Sequence, residues 1–223
     1  MQPSADTHAT VPNSVPVFVG TVLCFEPFWS YVRWNFDEIL PSVYHLDYVM
    51  RTFLLAAIFL TSPARNIVLA RLPSPVGFGT KTVAAIYMFA IACFIFFFIE
   101  KVLFAFIGDT AYFHWPVYPS TTLKLFDLTA GLLLVAVTEE LVFRKFAFLA
   151  FDRYSVSPGR TLLYSSLIFA AIHWETGWVN SITAFLFGWL AMTVYMSTRR
   201  LWPCILVHYL INLMIFRNIP VSS

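Results

Sequence analysis

The sequence predicts an all-α fold, a polytopic transmembrane bundle of about six to eight helices at about 20 residues per span. Three observations lead there. Of 223 residues, 59% are hydrophobic and 18% aromatic. Only 12% are charged, where a soluble domain carries about a quarter. The apolar residues gather in runs on the scale of a bilayer, and the mean hydropathy is +0.75. A net charge of +2, with the basic residues scattered, excludes nucleic acid as a partner.

The elements follow in chain order. Residues 1–15, MQPSADTHATVPNSV, lack the positive n-region of a signal peptide and read as a short disordered tail. Val17–Trp34 carries Glu26, Pro27 and Arg33, and reads either as a re-entrant or interfacial helix or as a true span. Clearer stretches are Tyr48–Leu60 (begun a turn earlier), Val83–Ile107, Leu125 to about Phe148, Leu162–Trp174, Ile182–Met196 and Trp202–Phe216. Some are short for a hydrocarbon core about 30 Å thick, which implies tilt, local thinning or ends buried in protein. Residues 16–124 thus hold N-terminal membrane helices, 125–216 a helical core that carries the polar motifs, and 217–223 a C-terminal tail, with one membrane domain over 16–216. Cys24, Cys93 and Cys204 lie in apolar surroundings without metal or redox spacing and read as buried free thiols.

Alternate connections are basic: Arg65, Arg71 and Lys81 in one, Lys145, Arg153 and Arg160 in the next, Arg199 and Arg200 in a third. The connections between them, GDTAYFHWPVYPSTT and ETGWVN, contain no Lys or Arg. The positive-inside rule puts the basic side in the cytoplasm.

Ionisable groups inside apolar segments usually face a cavity or a partner, since each costs on the order of 2.5–3.5 kcal/mol at a helix centre. The stretch VAVTEELVFRKFAF contains Glu139, Glu140 and Arg144. At about 100° per residue, Glu140 and Arg144 lie about 40° apart and suit an intrahelical ion pair. Glu139 points away from that pair and is left for chemistry; the alternative is that both glutamates snorkel to water. In FAAIHW, Phe169 lies one turn before His173 on the same face, and a lone histidine there also reads as a packing residue. In CILVHYLINLMIF, His208 and Asn212 share a face and can both donate hydrogen bonds, or can hold helices together. Glu175 in HWETGW reads as part of a solvated turn, and His45 and His114 as interfacial.

Taken together, these groups suit peptide-bond hydrolysis. A carboxylate and a histidine converging on water make a hydroxide-like nucleophile. A second histidine and an asparagine amide stabilise the oxyanion that follows. A transporter or proton relay would spread polar residues across both leaflets, often in duplicated halves, whereas here they gather near one side. A redox protein with His173 and His208 as axial haem ligands would leave the Glu-Glu-Arg cluster unexplained.

The ordered set EExxxR (Glu139–Arg144), FxxxH (Phe169–His173) and HxxxN (His208–Asn212) resembles the CPBP family of intramembrane proteases, also called Abi, which includes the type II CAAX prenyl endopeptidases. The likeness covers about residues 125–216. It implies a membrane bundle with a catalytic cavity open to the cytoplasm. It also implies that Glu139 and His173 activate water, His208 and Asn212 form the oxyanion site, and Glu140 and Arg144 order it. The expected partners are the bilayer and a membrane-anchored protein or peptide substrate. No cofactor is required; if zinc is used, Glu139, His173 and His208 would be its ligands, in a metalloprotease without the HExxH signature. Asn212 beside His208 favours the metal-free reading. A non-catalytic immunity or scaffold member would keep the fold without turnover, and the intact motifs argue against it. The compact chain looks like a prokaryotic plasma-membrane protein.

Overall fold

The computed structural model describes residues 43–60, 62–69, 72, 79–108, 111 and 117–222. The N-terminal tail, the stretch 17–34, Cys24, Arg71 and His114 lie outside them. The described residues form α1 (Val43–Leu60), α2 (Ser62–Leu69), α3 (Thr80–Ile107), α4 (Thr121–Phe126), α5 (Leu132–Glu140), α6 (Ala147–Arg153), α7 (Pro158–Ala171), α8 (Trp178–Thr198) and α9 (Trp202–Phe216). A π-helical turn, Asp127–Gly131, joins α4 to α5, and a second, Leu141–Phe146, joins α5 to α6. Residues 121–153 are therefore one long helical run. The stretch expected from Leu125 to about Phe148 is the middle of it, and α2 occupies part of what read as a connection.

Local chemistry sets the ends. Ser120 caps the long run by accepting from the Leu123 amide at 3.1 Å. Pro158 and Pro203 sit in the first turns of α7 and α9, where no N–H is missed. α8 stops at Arg199, whose left-handed φ of 55° breaks the helix. The C-terminal tail returns to the start of α4, with the Tyr118 amide donating to Pro220 O at 2.9 Å and the Ser222 amide to Tyr118 O at 2.8 Å.

Residues 138–150 are buried without a break, so this middle part of the long run is a central helix enclosed on all sides. Each π turn offers a backbone carbonyl to a neighbour, as such bulges commonly do near functional sites. Tyr209 of α9 donates to Leu128 O at 2.8 Å, and Ser165 of α7 to Phe143 O at 2.8 Å. Lys145 lies in the second π turn, buried, and donates to Val68 O of α2 at 2.6 Å. It does not belong to a basic loop, so only Arg153 and Arg160 remain exposed in that region.

Two glycines permit close approach. A Cβ on Gly188 would lie 3.3 Å from Ser166 Cα, so α7 and α8 meet there nearly backbone to backbone. A Cβ on Gly131 would lie 2.6 Å from Asp127 Oδ1 and 2.7 Å from the Tyr48 ring. Tyr48 and Tyr118 both donate to Asp127, tying α1 and the C-terminal bridge to the first π turn. Gly131→Ala should therefore destabilise by about 1–2 kcal/mol, overpacking outweighing the better helix propensity of alanine. A thermal melt in detergent at or above the wild-type midpoint would contradict this packing.

The solvent-facing pattern is inverted relative to a water-soluble protein. Phe106 is 86% and Leu60 81% exposed, whereas Asp47, Arg51, Glu100, Asp127, Glu139, Glu140 and Arg144 are buried. By length and composition, α3 over 82–107 and α8 over 178–198 can each cross a membrane, and α9 is a shorter apolar helix.

Candidate active site

A cavity of about 650 Å³ opens between α1, α3, α5, α8, α9 and the end of α7. Glu139, His173, His208 and Asn212 all line it. The structure thus brings these expected residues to one space from α5, the end of α7 and α9. Glu140 and Arg144 lie behind it.

The Glu140–Arg144 pair is fully buried, both side chains having 0% exposure. Arg144 Nε lies 2.9 Å from Glu140 Oε2, and Nη2 donates to Oε1 at 3.2 Å. Arg144 also donates to Phe143 O at 3.2 Å, and its guanidinium stacks 4.7 Å from the Phe169 ring. Such a two-point pair suits a low-dielectric site because the planar fork matches the carboxylate. Glu140 Oε1 also meets His208 Nδ1 at 2.9 Å. A carboxylate paired with arginine accepts, so Nδ1 carries the proton and Nε2 of His208 faces the cavity side.

His173 is oriented in the same manner. Its Nδ1 donates to Phe169 O at 2.7 Å, one turn back, which fixes the tautomer with the proton on Nδ1. Phe169 is the contact shared by these groups. Its ring centroid lies 4.6 Å from that of His173, 6.1 Å from that of His208 and 5.3 Å from that of Phe143. The spacing in FxxxH therefore supplies the histidine with both a carbonyl and a packed ring.

Glu139 departs from the sequence reading. It is not left unpaired: Arg51 Nη2 of α1 lies 3.0 Å from its Oε1. The sequence offered no signal for this, since the contact joins distant segments. The second oxygen, Oε2, is buried without a hydrogen-bond partner. It lies 3.8 Å from His208 Nε2, too far for a direct hydrogen bond. One water can reach both atoms from the apex of a triangle. His173 is also within electrostatic reach of Glu139.

Glu175 corrects a second expectation. It is 1% exposed, not solvated, and lines the same cavity from the short 3₁₀ turn Trp174–Thr176. Asp47, Glu100 and Asp127 join it as buried acids in the cavity wall. None of these three stood out in the sequence: Asp47 and Asp127 lie near the ends of apolar runs, and Glu100 sits beside Lys101 within one. As for zinc, among the described residues no group of three or more His, Cys, Asp or Glu side chains is placed to hold a metal ion. Glu139, His173 and His208 share the cavity but are not gathered as a ligand set.

Residues 121–214 match the family of type II CAAX prenyl endopeptidases described as Rce1-like. No curated protein and no solved structure matches the chain. The matched region holds all three motifs, from Glu139 to Asn212, and excludes α1 with Asp47, Tyr48 and Arg51. With its inverted burial and apolar helices, the protein is a membrane protein. Over residues 121–214 the chain is thus similar to the type II CAAX prenyl endopeptidases of the CAAX protease (CPBP) family, a likeness that supports membership of that family.

Proposed function

We propose that this protein is an intramembrane endopeptidase that hydrolyses a peptide bond in a membrane-associated protein or peptide. The observation that carries the reading is the convergence of Glu139, His173, His208 and Asn212 on one cavity, with Glu139 Oε2 buried and without a hydrogen-bond partner. In this reading Glu139 Oε2 takes a proton from water while the water oxygen attacks the scissile carbonyl carbon. His173 orients that water through Nε2. The carbonyl π electrons move onto oxygen, and the oxyanion is met by N–H donors from Asn212 Nδ2 and His208 Nε2. The second role requires both nitrogens of His208 to be protonated, with Nδ1 on Glu140. Collapse breaks the C–N bond, and the proton held at Glu139 passes to the leaving amine. Phe96, Phe97 and Phe104 give the cavity an apolar wall suited to a lipid-modified or membrane-embedded segment. We place the protein in a prokaryotic plasma membrane as a bundle of about six to eight spans, with the site toward the cytoplasm.

The test is cleavage of a fluorescence-quenched farnesylated CAAX peptide, and of its unprenylated counterpart, by the purified full chain. His173→Ala is expected to lower kcat by about 10²-fold or more, the usual contribution of an acid–base group. A chelator is expected to leave wild-type turnover unchanged. Full activity in His173→Ala would remove that residue from the mechanism, and chelator-sensitive turnover restored by zinc would overturn the metal-free scheme.

A further inference from the structure

Arg51 sits outside the family-matched core, on α1, and is 7% exposed. Each of its guanidinium nitrogens meets a different group. Nε meets Asp47 Oδ2 at 2.8 Å, Nη1 donates to Thr138 Oγ1 at 3.0 Å, and Nη2 lies 3.0 Å from Glu139 Oε1. The Thr138 hydroxyl lies 2.8 Å from Leu134 O and 2.9 Å from Val135 O, so its proton points back along the helix and a lone pair faces Arg51. α1 is held in register by Tyr48, three residues before Arg51, which donates to Asp127 in the first π turn.

The adjacent glutamates are thereby treated differently. Glu140 Oε1 is hydrogen-bonded to Arg144 and His208, and its Oε2, which like Glu139 Oε2 accepts no hydrogen bond, lies in ion-pair contact 2.9 Å from Arg144 Nε. Glu139 is gripped by Arg51 on Oε1 alone, and Oε2 remains toward His208 Nε2 in the cavity. An arginine that pinned both oxygens would take a lone pair and draw charge from each, weakening the carboxylate as a base. One that pinned neither would let the carboxylate rotate among the polar groups of the cavity.

We propose that Arg51 is the positioning residue of Glu139, fixing it through Oε1 so that Oε2 is presented to the attacking water. The active site therefore extends beyond the matched core, and α1 is part of it. This role rests on the proteolytic reading above. Arg51 also lines the cavity, so a direct grip on a substrate carboxylate is the competing role, and kinetics separate the two.

The experiment measures kcat and KM on the farnesylated CAAX peptide for wild type, Arg51→Met, Arg51→Lys, Glu139→Gln and the double variant Arg51→Met/Glu139→Gln. Arg51→Met is expected to lower kcat by about 10- to 100-fold with KM within about threefold, as befits a group acting through the base. Arg51→Lys should recover part of that loss. In the Glu139→Gln background, Arg51→Met should cost nothing further, because the residue it positions is already disabled. Unchanged kcat in Arg51→Met, a raised KM at unchanged kcat, or additive losses in the double variant would each overturn the proposal. If Arg51→Met fails to fold, Asp47→Asn, which loosens Arg51 from its far side, should give an intermediate kcat at unchanged KM; wild-type kcat there overturns it equally. Failure of the proteolytic reading looks different: wild type leaves the peptide intact, or Glu139→Gln retains full turnover.

Discussion

Glu139→Gln is expected to lower kcat by about 10²–10⁴-fold, the range lost when a general base is removed, while the protein remains folded. Glutamine is nearly isosteric, so its amide oxygen can still accept from Arg51, whose Nη2 lies 3.0 Å from Glu139 Oε1. What disappears is the proton acceptor at Oε2, the buried oxygen without a hydrogen-bond partner. KM should move little, since the substitution leaves the apolar cavity wall intact. The check is turnover of the farnesylated peptide beside a thermal melt of the same preparation. A kcat within tenfold of wild type would remove Glu139 from the role of base.

Arg144→Met is expected to act mainly on stability, lowering it by about 3–5 kcal/mol. Removing one partner of a buried ion pair leaves the other charge uncompensated, and here Glu140 has no exposure at all. The loss also takes the guanidinium from the Phe169 ring at 4.7 Å and from Phe143 O at 3.2 Å. Against a typical stability of about 5–15 kcal/mol, that is enough to depress the melting temperature severely or the yield of folded protein. The double variant Glu140→Leu/Arg144→Met should recover much of the stability, because a well-packed apolar pair can replace a buried ionic one. It should not recover turnover, since His208 Nδ1 loses its acceptor at 2.9 Å. A wild-type melt for Arg144→Met alone would show that the pair carries no such energy.

These expectations draw on different depths of information. Intrahelical relations were legible from residue order, because the backbone hydrogen-bond ladder gives a fixed rotation per residue. That rotation paired Glu140 with Arg144, put Phe169 beneath His173 and placed His208 with Asn212, and the coordinates hold the first two as direct contacts. Helices α1, α3, α8 and α9 fall close to their apolar stretches for a related reason: about 20 apolar residues are what a bilayer demands.

Contacts between helices were not legible. Arg51 drew no notice within the apolar run Tyr48–Leu60, and Glu139 consequently read as unpaired. His208 and Glu140 are 68 residues apart in sequence, and no local rule assigned that histidine's Nδ1 to the motif-one pair. Glu175 read as solvated because a Gly-containing turn usually is, yet packing closes over it. Lys145 read as a loop cation because it follows Arg144, yet α2 covers it and supplies the Val68 carbonyl. The order of residues thus specified helices, their apolar character and the partners lying within one turn. Which carboxylate would be gripped on one oxygen and which on two depended on how α1, α5 and α9 cross. Crossing geometry arises from side-chain packing over the whole bundle, and no single stretch of sequence contains it.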